Sequence, residues 1–463
     1  MNFVNIFMLL IHKVYNISDI RKKWMRRIIP LILVALIVMS FSNAVHGDKS
    51  EVISEQGTIS QNPYTASYKG DVYAVWEEDA EEKGTDIVFR TSSNGWRVRS
   101  IISPGKKSEN TEPILSAYRD ELYSIWVTTN SNISEGRDRD IVIRSYGDKS
   151  WGEHSDVSSY SPKEDDEDSS PKAIVYDDKM NIFWDNGTHI YERTYDGNLS
   201  DKVNIVAPST GIYDVETYDG KLFLSYTYRD TDTNELKAVV KYKDENDWLN
   251  YSVEYNPQSE ARNYAPDLEV YKDKLYIAWV TTDKTISSGE YDDDVVIRSY
   301  DAHQGSLTEA SAWSSITELS GFEMDHQDIW PVMEVYGGRL YVFWQTWNIQ
   351  THVGDLGDDI AMRSFDGDSW SSLEGVTDDE KHDGGIYGPG IGVTSDADGL
   401  YLIWQSKENK KYGDDWKINF MTYGEDDSSS QDAEGPPLFY ILAAMTVMIL
   451  IALAVVKIRA KKG

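Results

Sequence analysis

The chain of 463 residues contains no cysteine. That absence excludes disulfides, thiolate nucleophiles, zinc ribbons and iron–sulfur ligation, so the fold must hold by packing alone. Positive charge is scarce as well: 45 Lys plus Arg stand against 78 Asp plus Glu, for a formal charge of -33. No basic stripe lies between the two chain ends, and a surface this acidic repels phosphates, so nucleic acid is excluded as a partner. Cations and neutral ligands fit better. Apolar material is not lacking. With 40% hydrophobic residues, 15 Trp and 30 Tyr, the chain can offset the entropy of ordering, which excludes disorder. Its length suits a large repeat domain or two ordinary domains.

The two ends read as membrane segments. Arg21, Lys22, Lys23, Arg26 and Arg27 precede an apolar run over 28–38, followed by small residues at Ser40, Ser42 and Ala44. That is the order of a secretory signal, cleaved near Ala44 or kept as an anchor, within residues 1–47. Residues 438–456 carry no charge, and at about 1.5 Å per residue they reach about 28 Å, enough to span a bilayer core of about 30 Å. Lys457, Arg459, Lys461 and Lys462 follow, so the tail 457–463 is expected in the cytoplasm. Everything before the helix, including an acidic linker at 425–437, is then outside the cell membrane.

Between the ends one unit recurs seven times. A short strand ends in an aromatic at Trp76, Trp126, Trp184, Tyr226, Trp279, Trp344 and Trp404. In five copies a proline precedes that aromatic by 13 residues, at Pro63, Pro113, Pro171, Pro266 and Pro331; the fourth copy has Tyr213 there, and the seventh has Pro389 two residues further off. Turn signals such as Tyr68-Lys69-Gly70-Asp71 lie between, predicting a tight hairpin. A third strand follows in DIVFR (86–90), DIVIR (140–144), DVVIR (294–298) and DIAMR (359–363), and a fourth is marked by Trp96, Trp151, Trp248, Trp313 or Trp370. Four antiparallel strands per unit of about 50 residues is the arithmetic of a propeller blade. The expectation is an all-β, seven-bladed β-propeller of four-stranded antiparallel blades over 48–424, flanked by an N-terminal signal or anchor helix and one C-terminal transmembrane helix. The seventh copy supplies no fourth strand of its own, and residues 50–55 are expected to close the ring by completing that blade.

The turns between strands one and two are short, whereas the links from strand two to strand three and from blade to blade are long. Both long classes emerge on one face, which is where binding is expected. On that face Asp328, Trp330, Trp347 and Tyr387 are the nearest approach to a carboxylate with an aromatic platform. His326, His352 and His382, with Asp325 and Asp383 beside them, are the candidate metal ligands. Calcium is the cation that the acidic loops would take. The second-strand aromatics read as core, and the third-strand cations Arg90, Arg144, Arg193, Lys241, Arg298 and Arg363 as a repeated ion pair or aromatic stack. Sequons at Asn132, Asn186, Asn198 and Asn250 are glycosylation acceptors in an exterior domain.

The hairpins Ser145-Tyr146-Gly147-Asp148-Lys149-Ser150-Trp151 and Ser364-Phe365-Asp366-Gly367-Asp368-Ser369-Trp370 resemble degenerate Asp-box repeats of the sialidase-like, or BNR-repeat, β-propellers. The resemblance implies that the box is structural and lies opposite the active face. It also implies an activity on terminal sialic acid using three arginines, a Tyr and Glu pair and an Asp, a set that these repeat-equivalent arginines do not supply. The chain as a whole looks like membrane-anchored propeller proteins of prokaryotic, especially archaeal, cell surfaces. The leading expectation is a recognition module for a glycan, an envelope polymer or a surface protein. The alternatives are a sialidase-like glycoside hydrolase or lyase and an envelope structural protein.

Overall fold

The computed structural model describes residues 50–423, except 81–83, 104–106, 134–138, 159–166, 209–210, 245–246, 249–260, 287–292, 321–326, 348–358, 378–380, 385–389 and 409–415. The expected signal or anchor at 1–47, the linker, the span at 438–456 and the basic tail lie outside the described residues. Among the described residues no helix is long and apolar enough to cross a membrane.

Seven antiparallel sheets follow one another along the chain, the first six each formed by four consecutive strands. Blade 1 comprises Ser60–Tyr68, Asp71–Asp79, Thr85–Thr91 and Ser100–Ile101. Blades 2 to 6 begin at Asn110, Ser169, Tyr213, Asn263 and Asp328 and repeat the same order. Blade 7 is built from Ile391–Ser395, Leu400–Glu408 and Trp416–Tyr423, and its outer strand comes from the start of the domain, Glu51–Val52. A further short strand, Lys381–Asp383, pairs with the same Leu400–Glu408. The inner strand of blade 7 is thus split, with Asp383 opposite Ser406 and Ile391 opposite Trp404, and this explains why Pro389 falls off the repeat spacing.

The tight turns form because both central residues adopt positive φ, as the hairpin twist requires: Lys69 and Gly70 at 53° and 80°, Gly337 and Gly338 at 56° and 74°. Inter-blade seams are filled by the second-strand aromatics. Trp76, Trp126, Trp279 and Trp344 are fully buried, and the seven apolar clusters among the described residues each join two neighbouring blades. Inner strands covered on both sides read as apolar runs for this reason.

The third-strand cations Arg90, Arg144, Arg193, Lys241 and Arg298 donate to backbone carbonyls. Arg144 Nη1 donates to the Ile102 carbonyl at 2.7 Å and Arg193 Nη1 to that of Val157 at 2.6 Å, in each case on the preceding blade. Arg144 also lies 5.8 Å from the Trp151 ring, and Arg298 lies 4.6 Å from that of Trp313. Both expected forms occur, the aromatic contact at Arg144 and Arg298 and an ion pair at Arg90, which bonds Glu55 at 3.2 Å. Two of the strand-three Asp residues accept from hydroxyls, Asp294 from Ser320 Oγ at 2.9 Å and Asp86 from Ser103 Oγ at 3.4 Å.

Candidate functional site at the axial mouth

The first strand of each blade is the innermost, and its start lies at the end of the blade from which the long links emerge. Five blades break register there, between Gln61 and Tyr64, Thr111 and Ile114, Ser169 and Lys172, Tyr264 and Asp267, and Ile329 and Val332. In every case the residue before the repeat proline is left-handed: Asn62, Glu112, Ser170, Ala265 and Trp330 have φ between 50° and 58°. A residue before proline is ordinarily extended, so this bulge is strained and is held by its surroundings.

What holds it is a latch to the preceding blade. The bulged N–H of Glu112 donates to Glu77 Oε1 at 2.7 Å, that of Asn62 to Gln405 Oε1 at 2.7 Å, and that of Ala265 to Thr227 Oγ1 at 3.2 Å. All three acceptors directly follow the second-strand aromatic. The bulge of blade 3 is held differently, the Ser170 N–H donating to Glu112 Oε2. Around blades 1 to 4 the mouth is therefore lined by hydrogen-bonding groups. Asn62 Nδ2 donates to Glu77 at 2.7 Å, Arg139 pairs with Glu112 at 2.5 Å, and Tyr213 donates its hydroxyl to the Ser170 carbonyl at 2.5 Å. Burial pushes the Glu77 carboxyl up to about 7, against hydrogen bonds that favour its charged form.

Blades 5 and 6 give the mouth a different side. Trp330 meets Tyr264 edge to face at 6.5 Å, and Arg262 bonds Asp293 at 3.1 Å beside the Tyr264 ring. Trp347, which follows the second strand of blade 6 on the same face, is 49% exposed, an unusual state for a tryptophan.

Further along the inner strands the groups become acidic. Lys172 bonds Asp214 at 3.0 Å, Asp214 accepts the Leu268 N–H at 3.0 Å, and Asp267 accepts that of Met333 at 2.8 Å. Burial works against the Lys172 ammonium, but the charges of Asp214, Tyr64 and Asp267 outweigh it and hold the pKa above normal. Burial, then the neighbouring Asp214, raises Asp267 well above the carboxylate range. Two residues on, Glu216 and Glu334 are each pushed up to about 7 and Glu269 to about 9, by burial first and then by neighbouring carboxylates: Asp214 acts on Glu216, Glu216 on Glu334, and Glu334 and Glu216 on Glu269.

Of the residues singled out from the sequence, Trp330 and Trp347 both sit at this end of blade 6. Asp328 is 3% exposed and accepts the Trp344 indole N–H at 2.8 Å; Asp383 is 2% exposed and does the same for Trp404 at 3.0 Å. Asn110 and Asn263 do so for Trp126 and Trp279. For Asp328, Asn110 and Asn263 the recurring spacing of a polar residue 16 before the aromatic is the signal of a repeat position, whereas Asp383 lies 21 before Trp404, across the split inner strand of blade 7. Asp325, His326, His352 and Tyr387 lie outside the described residues, as does the side chain of His382. Among the described residues no group of carboxylates and histidines is placed to hold a metal ion. Asn132 and Asn198 are exposed and Asn186 half-buried, all on turns, while Asn250 is outside the described residues. The mouth lining itself was missed from sequence, since Glu77, Glu112 and Asp185 come from three blades and share only their place relative to the repeat aromatic or proline.

The class these features define is a seven-bladed β-propeller with a polar and aromatic axial mouth above an acidic axis. No protein-family model and no curated protein matches the sequence. Among solved structures it is similar to an ulvan lyase of polysaccharide lyase family PL25, with 11% identity over 81% of this chain and 96% of that one at a TM-score of 0.50. It is also similar to the polysaccharide lyase Uly1, with 9% identity, 83% and 93% coverage and a TM-score of 0.48. A Trypanosoma rangeli sialidase bound to the inhibitor DANA gives 9% identity, 82% and 58% coverage and a TM-score of 0.39. At such identities the likeness is one of fold.

Proposed function

We propose that the chain is a glycan-recognition propeller held outside the cell membrane by its C-terminal apolar segment, and that the glycan docks at the axial mouth. The observation that carries this reading is the division of the mouth, with Glu77, Glu112, Asn62 and Tyr213 on one side and Tyr264, Trp330 and Trp347 on the other. A sugar ring presents hydroxyls at its edge and C–H groups on its face, and this arrangement meets both. The ulvan lyase whose fold it shares acts on a polysaccharide, which agrees with the reading. Titration calorimetry of the full chain against an oligosaccharide panel tests it: Trp330→Ala and Trp347→Ala together should weaken binding at least about tenfold, roughly 1.4 kcal/mol. Unchanged affinity in the double variant would sink the reading.

A second reading, glycoside hydrolysis or lyase chemistry, is favoured by Glu77. A carboxyl with a pKa of about 7, raised by burial and within reach of the charge of a second carboxylate, Glu112, is the pairing that acid and base catalysis uses near neutral pH. It predicts released sugar on long incubation that is lost in Glu77→Gln.

A further inference from the structure

In six blades the third-strand residue opposite the one before the second-strand aromatic is apolar: Phe89, Ile143, Val240, Ile297, Met362 and Phe420. In five blades an aromatic stands further along the same strand, opposite the residue four before the second-strand aromatic, at Tyr146, Tyr195, Tyr300, Phe365 and Tyr423. The two positions meet across a seam. Phe89 of blade 1 lies 5.0 Å from Tyr146 of blade 2, and Trp151, paired with Tyr146, closes on Phe89 edge to face at 5.0 Å. Between blades 3 and 4 the same places hold Glu192 and Lys243, with Trp248 standing where Trp151 does. Lys243 Nζ bonds Glu192 Oε1, while Glu192 Oε2 accepts from Trp248 Nε1 at 3.2 Å and from Asn204 Nδ2 at 3.1 Å. The Lys243 and Glu192 side chains are 9% and 0% exposed. A satisfied charge pair has taken the place of an aromatic contact.

This is also a seam without the bulge latch. Blade 4 is the copy with Tyr213 in place of proline, and its first two strands pair without a register break from Tyr213 opposite Tyr226 to Tyr218 opposite Lys221. It therefore offers no bulged N–H to blade 3. The apolar cluster shared by the two blades discriminates weakly, because similar side chains line the other seams and cores accept apolar exchanges of like volume. A buried ion pair is a poor source of net stability, since desolvating both charges about offsets their attraction. What it supplies is selectivity. Set against Phe89, Ile143, Ile297, Met362 or Phe420, Lys243 would be an ammonium in an apolar seam, and Glu192 set against the aromatic of another blade would be a buried carboxylate without a cation.

We propose that the Glu192–Lys243 pair is an assembly key: it admits blade 4 to blade 3 and to no other blade as the ring forms, and it contributes selectivity in place of stability. The key is independent of what the mouth binds. The test compares full-length variants in thermal melting and in refolding by dilution from urea, with recovered monomer measured by size-exclusion chromatography. Glu192→Leu and Lys243→Met, each alone, should lower the melting temperature by at least about 5 °C, because each strands the partner's charge. Combined, they should bring it back to within about 2 °C of the wild type. The same double variant should give at least about twofold less refolded monomer, the remainder eluting as misassembled oligomer. If either single variant fails to fold, the double variant decides alone, since both of its readings are taken against the wild type. A double variant that melts at least about 5 °C below the wild type would make the pair a source of stability, and one that refolds with the wild-type yield would make it neutral to assembly. Either result overturns the key.

Discussion

Glu269 shows what an axial position does to a single carboxyl. Its ordinary pKa of 4.5 is raised to about 9, by burial and then by the charges of Glu334 and Glu216. An acid whose folded pKa exceeds its unfolded value keeps its proton longer in the folded state. Stability is therefore highest below about pH 4.5 as far as this group is concerned, and it declines as pH rises towards 9. Glutamine mimics the protonated form, so Glu269→Gln should match the wild-type melting temperature at pH 4 and exceed it at pH 8. A variant that melts at or below the wild type at pH 8 would contradict this. The same scale separates what the sequence disclosed from what it concealed. Asp328 stood out as a carboxylate near aromatics and Asp383 as an acid beside a histidine, and both touch aromatics as acceptors for the indoles of Trp344 and Trp404 in the core. Residue type alone cannot distinguish a buried cap from a ligand contact; the side of the strand decides, and that depends on a pairing register which the bulges shift by one.

At the scale of the element, the 13-residue interval from proline to aromatic was legible, and so were the hairpin turns, because both follow from local backbone chemistry. The bulge was not. Proline ordinarily holds its predecessor extended, yet Asn62, Glu112, Ser170, Ala265 and Trp330 are all left-handed. At Asn62, Glu112, Ser170 and Ala265 a hydrogen bond from a neighbouring blade, distant in sequence for Asn62 and Gln405, outweighs that local preference. Thr227 is the plainest test, since its hydroxyl accepts the buried Ala265 N–H at 3.2 Å and valine has nearly the same shape. Thr227→Val should cost about 1–3 kcal/mol in denaturant unfolding, the usual penalty for orphaning a buried donor. A loss within experimental scatter would mean that the bulge is held by packing and not by the latch.

At the scale of the whole molecule, a ring without disulfides has one weak seam, where the last blade meets the first. The chain spans it with Glu51–Val52 paired to Phe420 and Asn419, and the clasp continues beyond that pair. The Ile53 N–H donates to the Ile418 carbonyl at 2.9 Å, Ser54 Oγ accepts from the Ile418 N–H at 3.0 Å, and Glu55 bonds Arg90 of blade 1 at 3.2 Å. The ion pair is half-exposed on the Glu55 side and adds little. The weight falls on Ile53, 2% exposed among Trp76, Trp96 and Phe420 of the two blades it joins. Truncation there removes core from both sides of the seam at once. Ile53→Ala should therefore cost about 2–5 kcal/mol, and Glu55→Ala less than about 1 kcal/mol. The order of the two is the informative result. If Glu55→Ala proved the more damaging, closure would be electrostatic and should weaken in salt; if Ile53→Ala does, the ring is closed by the same apolar packing that joins its other six seams.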